Sequence, residues 1–315
     1  VKTTAIALTG LLLAAAWPAA QGRGAATQQR PAIATPSADR DLRGAVDIHV
    51  HSDPDSVPRS IDGLEVSKLA AQRGMRAIVL KNHYTPTAGL AWLARKAAPG
   101  IEIYGGVDLN LPVGGMNPSA VDYMAKMNGG YGRLVWMSTF DSENQVTRDR
   151  SNLPFVRVAQ NGELLPETKA VIAAIARHNF VLASGHVSAE EAVLMFREGK
   201  RAGVRHMVAT HGMAGPTFLS VEQAREATAL GAFVEFCAGD LNAAGAQNKI
   251  DTFTQQIRAI GPGHAILSSD LGQAGNALPP DGLAVFYEML RKKGFTNEEL
   301  DLMGKKNPST LLELK

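Results

Sequence analysis

The chain has one cysteine, Cys237, among 315 residues, so no disulfide can form within it in any compartment. Cys237 closes the apolar phrase Phe233-Val234-Glu235-Phe236-Cys237 and is expected to be a small buried hydrophobe rather than a nucleophile or ligand. An excess of one charge is missing too. The 32 Lys and Arg against 30 Asp and Glu leave a formal +2, and no basic run is long enough to track a phosphate backbone, so a nucleic-acid partner is not expected. Long apolar runs are also absent: the stretch from Ala5 to Trp17 falls short of the roughly 20 residues a membrane span needs.

That stretch has a different reading. Lys2 precedes it and Pro18-Ala19-Ala20-Gln21-Gly22 follows, the order of a basic region, an apolar region and small residues found in a secretory signal. Residues 1–20 are therefore expected to be a cleaved signal and 21–40, rich in Ala, Gln, Pro and Ser, a flexible leader. The remainder, 41–315, would be an exported, periplasmic domain with no stable membrane association after signal cleavage.

In that remainder, short apolar runs alternate with helical patterns. Candidate strands are 44–49, 77–81, 101–107, 134–138, 180–184, 206–210, 232–236 and 265–268. Most are continuous apolar runs, as expected of strands buried on both faces. Glycines at 74, 203 and 231 fall where the preceding helices should end. Eight strands with intervening helices predict a (β/α)8 TIM-like barrel, regular or distorted. The irregular stretch 139–165 includes Asn161-Gly162 between short apolar segments and predicts a small hairpin after strand 4, laid over the barrel mouth.

In such a barrel the active site gathers at the C-terminal ends of the strands. Those ends read Asp47-Ile48-His49-Val50-His51, Lys81-Asn82-His83, Val107-Asp108, Ser184-Gly185-His186, Thr210-His211-Gly212 and Ser268-Ser269-Asp270. Alternation along the first strand puts Asp47, His49 and His51 on one face. Five of the eight histidines thus stand on one rim with two acids, whereas His178, His206 and His264 fall elsewhere. Imidazole and carboxylate donors suit a divalent ion, Zn first and Mn or Fe next, one or two per chain. Such an ion lowers the pKa of water and polarises a carbonyl or phosphoryl oxygen, and Asp270 is placed to carry the proton. Asp47 is expected to brace a ligand imidazole and Asp108 to be either ligand or support. Glu235 could face the barrel interior or an outer helix. Tyr84, Thr85, Asn110, Met116, Phe140 and Gln273 are expected to line the mouth around a small, partly apolar organic substrate.

With those residues in view, the chain resembles the amidohydrolase superfamily of metal-dependent hydrolases, with features of polymerase-and-histidinol-phosphatase type metal domains. The shared signs are His49 and His51 on strand one, His186 and His211 on strands five and six, and Asp270 on strand eight. The resemblance implies that these five, with Asp108 as a further candidate, hold metal and that Asp270 also shuttles the proton. Many binuclear superfamily members carry a carboxylated lysine on strand four, but Leu134-Val135-Trp136-Met137-Ser138 has none. Lys81 instead ends strand two. It would be a carboxylated bridge, a cation for a substrate carboxylate or developing oxyanion, or an ion-pair partner. His83 would ligate a second ion or donate a hydrogen bond to the polarised oxygen. The phosphatase-type Asp-x-His is missing after Asp270, where Leu271-Gly272 follows.

The expected activity is hydrolysis of a C–N or C–O bond (amide, lactone or ester) of a small organic substrate through metal-activated water, with Asp270, His83 and Lys81 as catalytic groups. The rivals are a metal-dependent phosphoesterase, a decarboxylase or hydratase on the same scaffold, and a periplasmic protein that binds metal or ligand without turnover.

Overall fold

The computed structural model describes residues 36–241 and 246–315. The expected signal and most of the expected leader lie outside the described residues. The last leader positions are helical: Pro36–Leu42 forms a helix, and Asp41 at its end takes Arg291 Nη2 at 2.6 Å from the helix Pro279–Lys292. No helix among the described residues is long and apolar enough to cross a membrane.

The described residues hold ten strands: β1 (Val46–His51), β2 (Ala77–Lys81), β3 (Glu102–Asp108), β4 (Gly132–Trp136), β5 (Ala159–Gln160), β6 (Glu163–Leu164), β7 (Val181–Ala183), β8 (His206–Ala209), β9 (Ala232–Cys237) and β10 (Ala265–Ser268). Eight of them pair in parallel in the order β1-β2-β3-β4-β7-β8-β9-β10, with helices in the crossovers, which is the expected (β/α)8 barrel. All eight candidate strands are present, displaced by one or two residues at most ends. The three glycines expected at helix ends all sit at positive φ, at +72°, +83° and +101°. Helix starts carry equally local signals: Ser188 and Ser220 each form a capping box with the residue three positions on, Glu191 and Gln223.

Backbone bonds just beyond β10 close the barrel. Asp270 N donates to His49 O and His51 N to Leu271 O, both at 2.9 Å, so the chain leaving β10 is stitched to the top of β1. Asp47 sits on this seam, its Oδ1 accepting from Ser269 N at 3.0 Å and His49 N at 3.1 Å. The interior is packed by Ile48, Val79, Leu134, Trp136, Val208 and Ile266, with Leu311 and Leu312 from the C-terminal end joining the same cluster. The outer layer packs strands against helices through the larger cluster that includes Leu80, Val135, Leu182 and Leu267. Burying these side chains is the main stabilising contribution, about 1.5–3 kcal/mol for each large one.

The expected hairpin is β5–β6, antiparallel across Asn161-Gly162, both at positive φ as a tight two-residue turn requires. Its position corrects the expectation. It packs beside the helix Ala189–Ala202, and the mouth is flanked instead by a short helix, Glu143–Arg148, N-capped by Ser142. That helix has only six residues, too few for an amphipathic period to show in the sequence.

Candidate metal centre

β1 does not alternate as expected. Its register with β2 slips by one residue between Asp47 and Val50, the mark of a β-bulge. Val46 and Ile48 point into the barrel below the bulge, while His49 and His51 point inward above it. Asp47 is therefore out of phase with both imidazoles and braces the seam backbone instead. Burial raises its pKa to about 6, against the pull of its hydrogen bonds from Ser269 and His49 and of the His49 charge.

The group that braces His49 is Glu235 on β9. Buried in the interior, it faces His49 Nδ1 at 3.3 Å through Oε1 and accepts from Ser268 Oγ at 2.5 Å. Its Oε2 accepts from His211 N at 3.0 Å. Burial would raise the Glu235 pKa, but His49 and Ser268 outweigh it and hold it at about 2.

Five imidazoles form a closed circuit at the strand tops. Ring centroids are separated by 5.1 Å (His49–His51), 4.9 Å (His51–His83), 6.1 Å (His83–His186), 5.0 Å (His186–His211) and 6.1 Å (His211–His49). Asp270 Oδ1 lies 3.0 Å from both His49 Nε2 and His51 Nε2. His211 and Asp270 are held at φ +31° and +46°, a backbone conformation uncommon for residues that bear a side chain. Close packing sets Asp270 further: a Cβ on Gly272 would lie 2.0 Å from His51 O, so only glycine lets this turn approach β1.

Proton accounting shows which ring nitrogens face the centre. The Thr139 hydroxyl donates to Asp108 Oδ2 at 3.1 Å and accepts from Asn110 Nδ2 at 2.7 Å. With Asp108 ionised, that hydroxyl's one proton is spent and it accepts from His83 Nδ1 at 2.9 Å, so His83 then carries its proton on Nδ1 and a lone pair on Nε2. Gln145 gives its NH2 to Asp149 at 2.7 Å, which turns its carbonyl toward His186 Nδ1 at 3.1 Å. Glu235 does the same for His49. Three imidazoles thus have Nδ1 engaged behind them and Nε2 in front, the orientation that carboxylate and carbonyl partners impose on metal-ligating histidines. For His83 this favours an acceptor over the hydrogen-bond donor considered from the sequence.

Burial is the main reason the other rings stay neutral. It carries His51 to about 3 and His211 to about 4, and pushes His83 and His186 well below their ordinary value. His49 goes the other way. Burial opposes its charge, but Asp270 and Glu235 on its two sides prevail against burial and Lys81, carrying it to about 9. The same contacts hold Asp270 well below the usual carboxylate range despite its burial.

The fit to a divalent cation can be judged from this geometry. His49 Nε2 faces a donor, Lys81 Nζ at 3.1 Å, and an acceptor, Asp270 Oδ1 at 3.0 Å, and one ring nitrogen cannot serve both. His51 Nδ1, His211 Nδ1 and Asp108 Oδ1 are buried without a hydrogen-bond partner. Ligand atoms of His49, His51 and Asp270 lie within 4.8 Å of one another, as a shared ion requires. The donor set fits.

Lys81 is fully buried, with Asp108 Oδ2 at 3.8 Å and the Trp136 ring centroid at 5.2 Å. Burial raises Asp108 to about 7 against the pull of Lys81. Asp108 lies on the Lys81 and His83 side, outside the His49, His51 and Asp270 cluster. Cys237 is buried as expected, its thiol pushed well up by burial, yet its Sγ falls in a second close group with His49 and Glu235. Of the expected mouth residues, Phe140 and Gln273 line the cleft, whereas Asn110 is fully buried as a hydrogen-bond hub and Met116 joins the core. The cleft has a volume of about 770 Å³ and opens above His51, His83, His186, His211 and Asp270.

Residues 44–235, more than half of the chain, match the profile of a family of unknown function (DUF6282). The chain belongs to this family. The match takes in His49, His51, Lys81, His83, His186, His211 and Glu235 and stops before Asp270. No curated protein matches the sequence. Among solved structures, an amidohydrolase from Pseudomonas aeruginosa is similar with a TM-score of 0.60 at 12% identity, covering 89% of this chain and 98% of that one. The organophosphorus hydrolase from Deinococcus radiodurans is similar with a TM-score of 0.59 at 14% identity, covering 85% and 92%. A 2,6-dihydroxybenzoate decarboxylase from Rhizobium has a TM-score of 0.50 at 13% identity, covering 86% and 99%. At these identities the likeness is one of fold. The polymerase-and-histidinol-phosphatase side of the resemblance gains no support.

Proposed function

We propose that this member of the family is a metal-dependent hydrolase that cleaves a C–N or C–O bond of a small organic substrate. The observation that carries the reading is the convergence of His49, His51 and Asp270 on one point at the strand tops, with ligand atoms within 4.8 Å of one another. His49, His51 and Asp270 would hold the ion, with His186 and His211 beside them and Zn the best match to the donors. When bound, such an ion acidifies water and polarises the scissile carbonyl.

The chain's own groups do the rest. Asp270 Oδ1 lies among the ligand atoms, and its carboxylate, ionised across the neutral range, is placed to take a proton and pass it to the leaving group. His83 presents its Nε2 lone pair, held in that tautomer by Thr139, and can accept a proton or join the donor set. Lys81 supplies a buried positive charge beside His49 for a developing oxyanion. Glu235, Gln145 and Thr139 hold the rings in these orientations.

Phosphoester hydrolysis fits less well, since Arg59 beside the centre is already paired with Asp55. Decarboxylation on the same scaffold remains the second reading, because Lys81 and the neutral imidazoles would also stabilise a carbanion. The test is metal content per chain by plasma mass spectrometry, for wild type and for Asp270→Asn, on protein without a metal-binding tag, together with turnover of an amide, lactone and ester panel. Bound metal in wild type and turnover lost in Asp270→Asn are expected. A wild-type chain that neither holds nor regains metal after reconstitution with Zn or Mn refutes the proposal. Loss of CO2 from a carboxylated aromatic without hydrolysis of the panel would select the second reading.

A further inference from the structure

Arg59 stands in the cleft wall without a part in the centre itself. It is buried, and one carboxylate oxygen holds it: Asp55 Oδ2 takes Nε at 2.8 Å and Nη2 at 2.6 Å. Nη1 has no acceptor among the described residues. Burying an arginine and an aspartate together seldom stabilises a fold by itself, because desolvation offsets the attraction. The loop is nonetheless built to keep the pair in place. Ser60 N donates to Gly272 O at 2.7 Å, and Arg59 bridges Gln273 in antiparallel fashion, tying the Arg59 backbone to the turn that follows Asp270.

Two further observations place Arg59 beside the reacting centre. Arg59 lines the same cleft as His51, His83 and Asp270. His83 is in turn the middle of a three-ring stack, with His51 at 4.9 Å on one side and Phe140 at 3.8 Å on the other. Phe140 is 40% exposed and lines the same cleft, a flat apolar surface facing the space that Arg59 borders.

We infer that the cleft selects a small planar carboxylate, with Arg59 seating the carboxylate and Phe140 packing against the flat body. Asp55 takes Nε and Nη2 and offsets much of the guanidinium's charge, so what is left matches a monoanion better than a phosphate dianion. This names the substrate class of the proposed hydrolase and rests on that reading only for what is done to the ligand, not for its binding.

The test is calorimetric titration of the zinc-reconstituted full chain with benzoate, benzamide and phenyl phosphate, with zinc content read on the same samples. Benzoate is expected to bind at least tenfold tighter than benzamide and at least as tightly as phenyl phosphate. Arg59→Gln should abolish the preference for benzoate while keeping zinc and the affinity for benzamide. Because that variant strands Asp55, the double variant Asp55→Asn/Arg59→Gln should lose the preference equally with a native circular dichroism spectrum. Arg148→Gln, at the exposed rim over Phe218, should leave the preference within about twofold. Equal binding of benzoate and benzamide, or no binding of either at millimolar concentration, overturns the inference. So does a preference that survives Arg59→Gln, since zinc or Lys81 would then hold the carboxylate, or one that Arg148→Gln removes. Tenfold tighter Arg59-dependent binding of phenyl phosphate overturns the carboxylate assignment in favour of phosphate. A chain that binds no zinc yet keeps the Arg59-dependent preference would refute the hydrolase reading and leave this one standing.

Discussion

Glu235→Gln separates a carboxylate that orients a ligand from one that merely fills space. Three donors converge on Glu235: His49 Nδ1 at 3.3 Å, Ser268 Oγ at 2.5 Å and His211 N at 3.0 Å. Glutamine keeps the volume but replaces one acceptor oxygen with an NH2, so either the His211 amide faces a donor or Ser268 Oγ must turn to accept, and the charge behind His49 is lost in both cases. A lost hydrogen bond to a charged group, with a buried partner left unpaired, costs about 2–3 kcal/mol of stability. Removing the outer partner of a metal-bearing imidazole weakens metal binding about 10–100-fold, or about 1.4–2.7 kcal/mol. The assay is competition for zinc with a chromophoric chelator at pH 7.5, beside denaturant unfolding of the metal-free chain. Asp47→Ala supplies the contrast, since Asp47 holds only backbone at the seam. It should lower stability by about 2–4 kcal/mol and change zinc affinity by no more than a few-fold. If Glu235→Gln binds zinc within twofold of wild type, or if Asp47→Ala loses zinc to the same degree as Glu235→Gln, the assignment of the brace to Glu235 is wrong.

The metal-free chain should lose stability as pH rises from 7 to above 9. The folded pKa of His49, about 9, lies above its ordinary 6.5, so the contribution is full below 6.5 and disappears as pH climbs through 9. Zinc competes with the same proton, so zinc affinity should climb over that window and level off above it; equal affinities at pH 7 and 9.5 would contradict the account. Gly272→Ala puts a methyl group into His51 O at a φ of +124° and should cost about 3 kcal/mol or more, measured as a lowered denaturant midpoint together with loss of zinc. Leu311→Ala, at the far end of the barrel interior, should cost about 2–4 kcal/mol with zinc affinity unchanged, which calorimetric unfolding and the chelator assay would check.

Much of this protein is legible in its sequence, for local reasons. Strands buried on both faces must be continuous apolar runs, so β1 to β4, β7, β8, β9 and β10 announce themselves, and glycine punctuation marks where the helices between them stop. Strand-top histidines can be recognised because a barrel brings all its C-terminal strand ends to one rim. His49, His51, His83, His186 and His211 close into a ring for that reason alone. What remained hidden depends on contacts between distant segments. The bulge that turns Asp47 away from His49 arises in the register of β1 against β2, and a strict alternation in the sequence gives no sign of it. Glu235 reads as one acid in an apolar strand until β9 and β1 are brought together across the barrel, and only then does it become the partner of an imidazole 186 residues earlier in the chain. Gln145 lies on a helix too short to leave a period, and Arg59 on a loop with no pattern at all. The sequence by itself determined which elements form and which residue types reach the rim, because propensity and periodicity act over a few residues. The tertiary structure decided which nitrogen of each ring faces inward, which acid stands behind it and which cation borders the cleft. Those are matters of a few tenths of an ångström between segments tens to hundreds of residues apart, and only the closed barrel sets them.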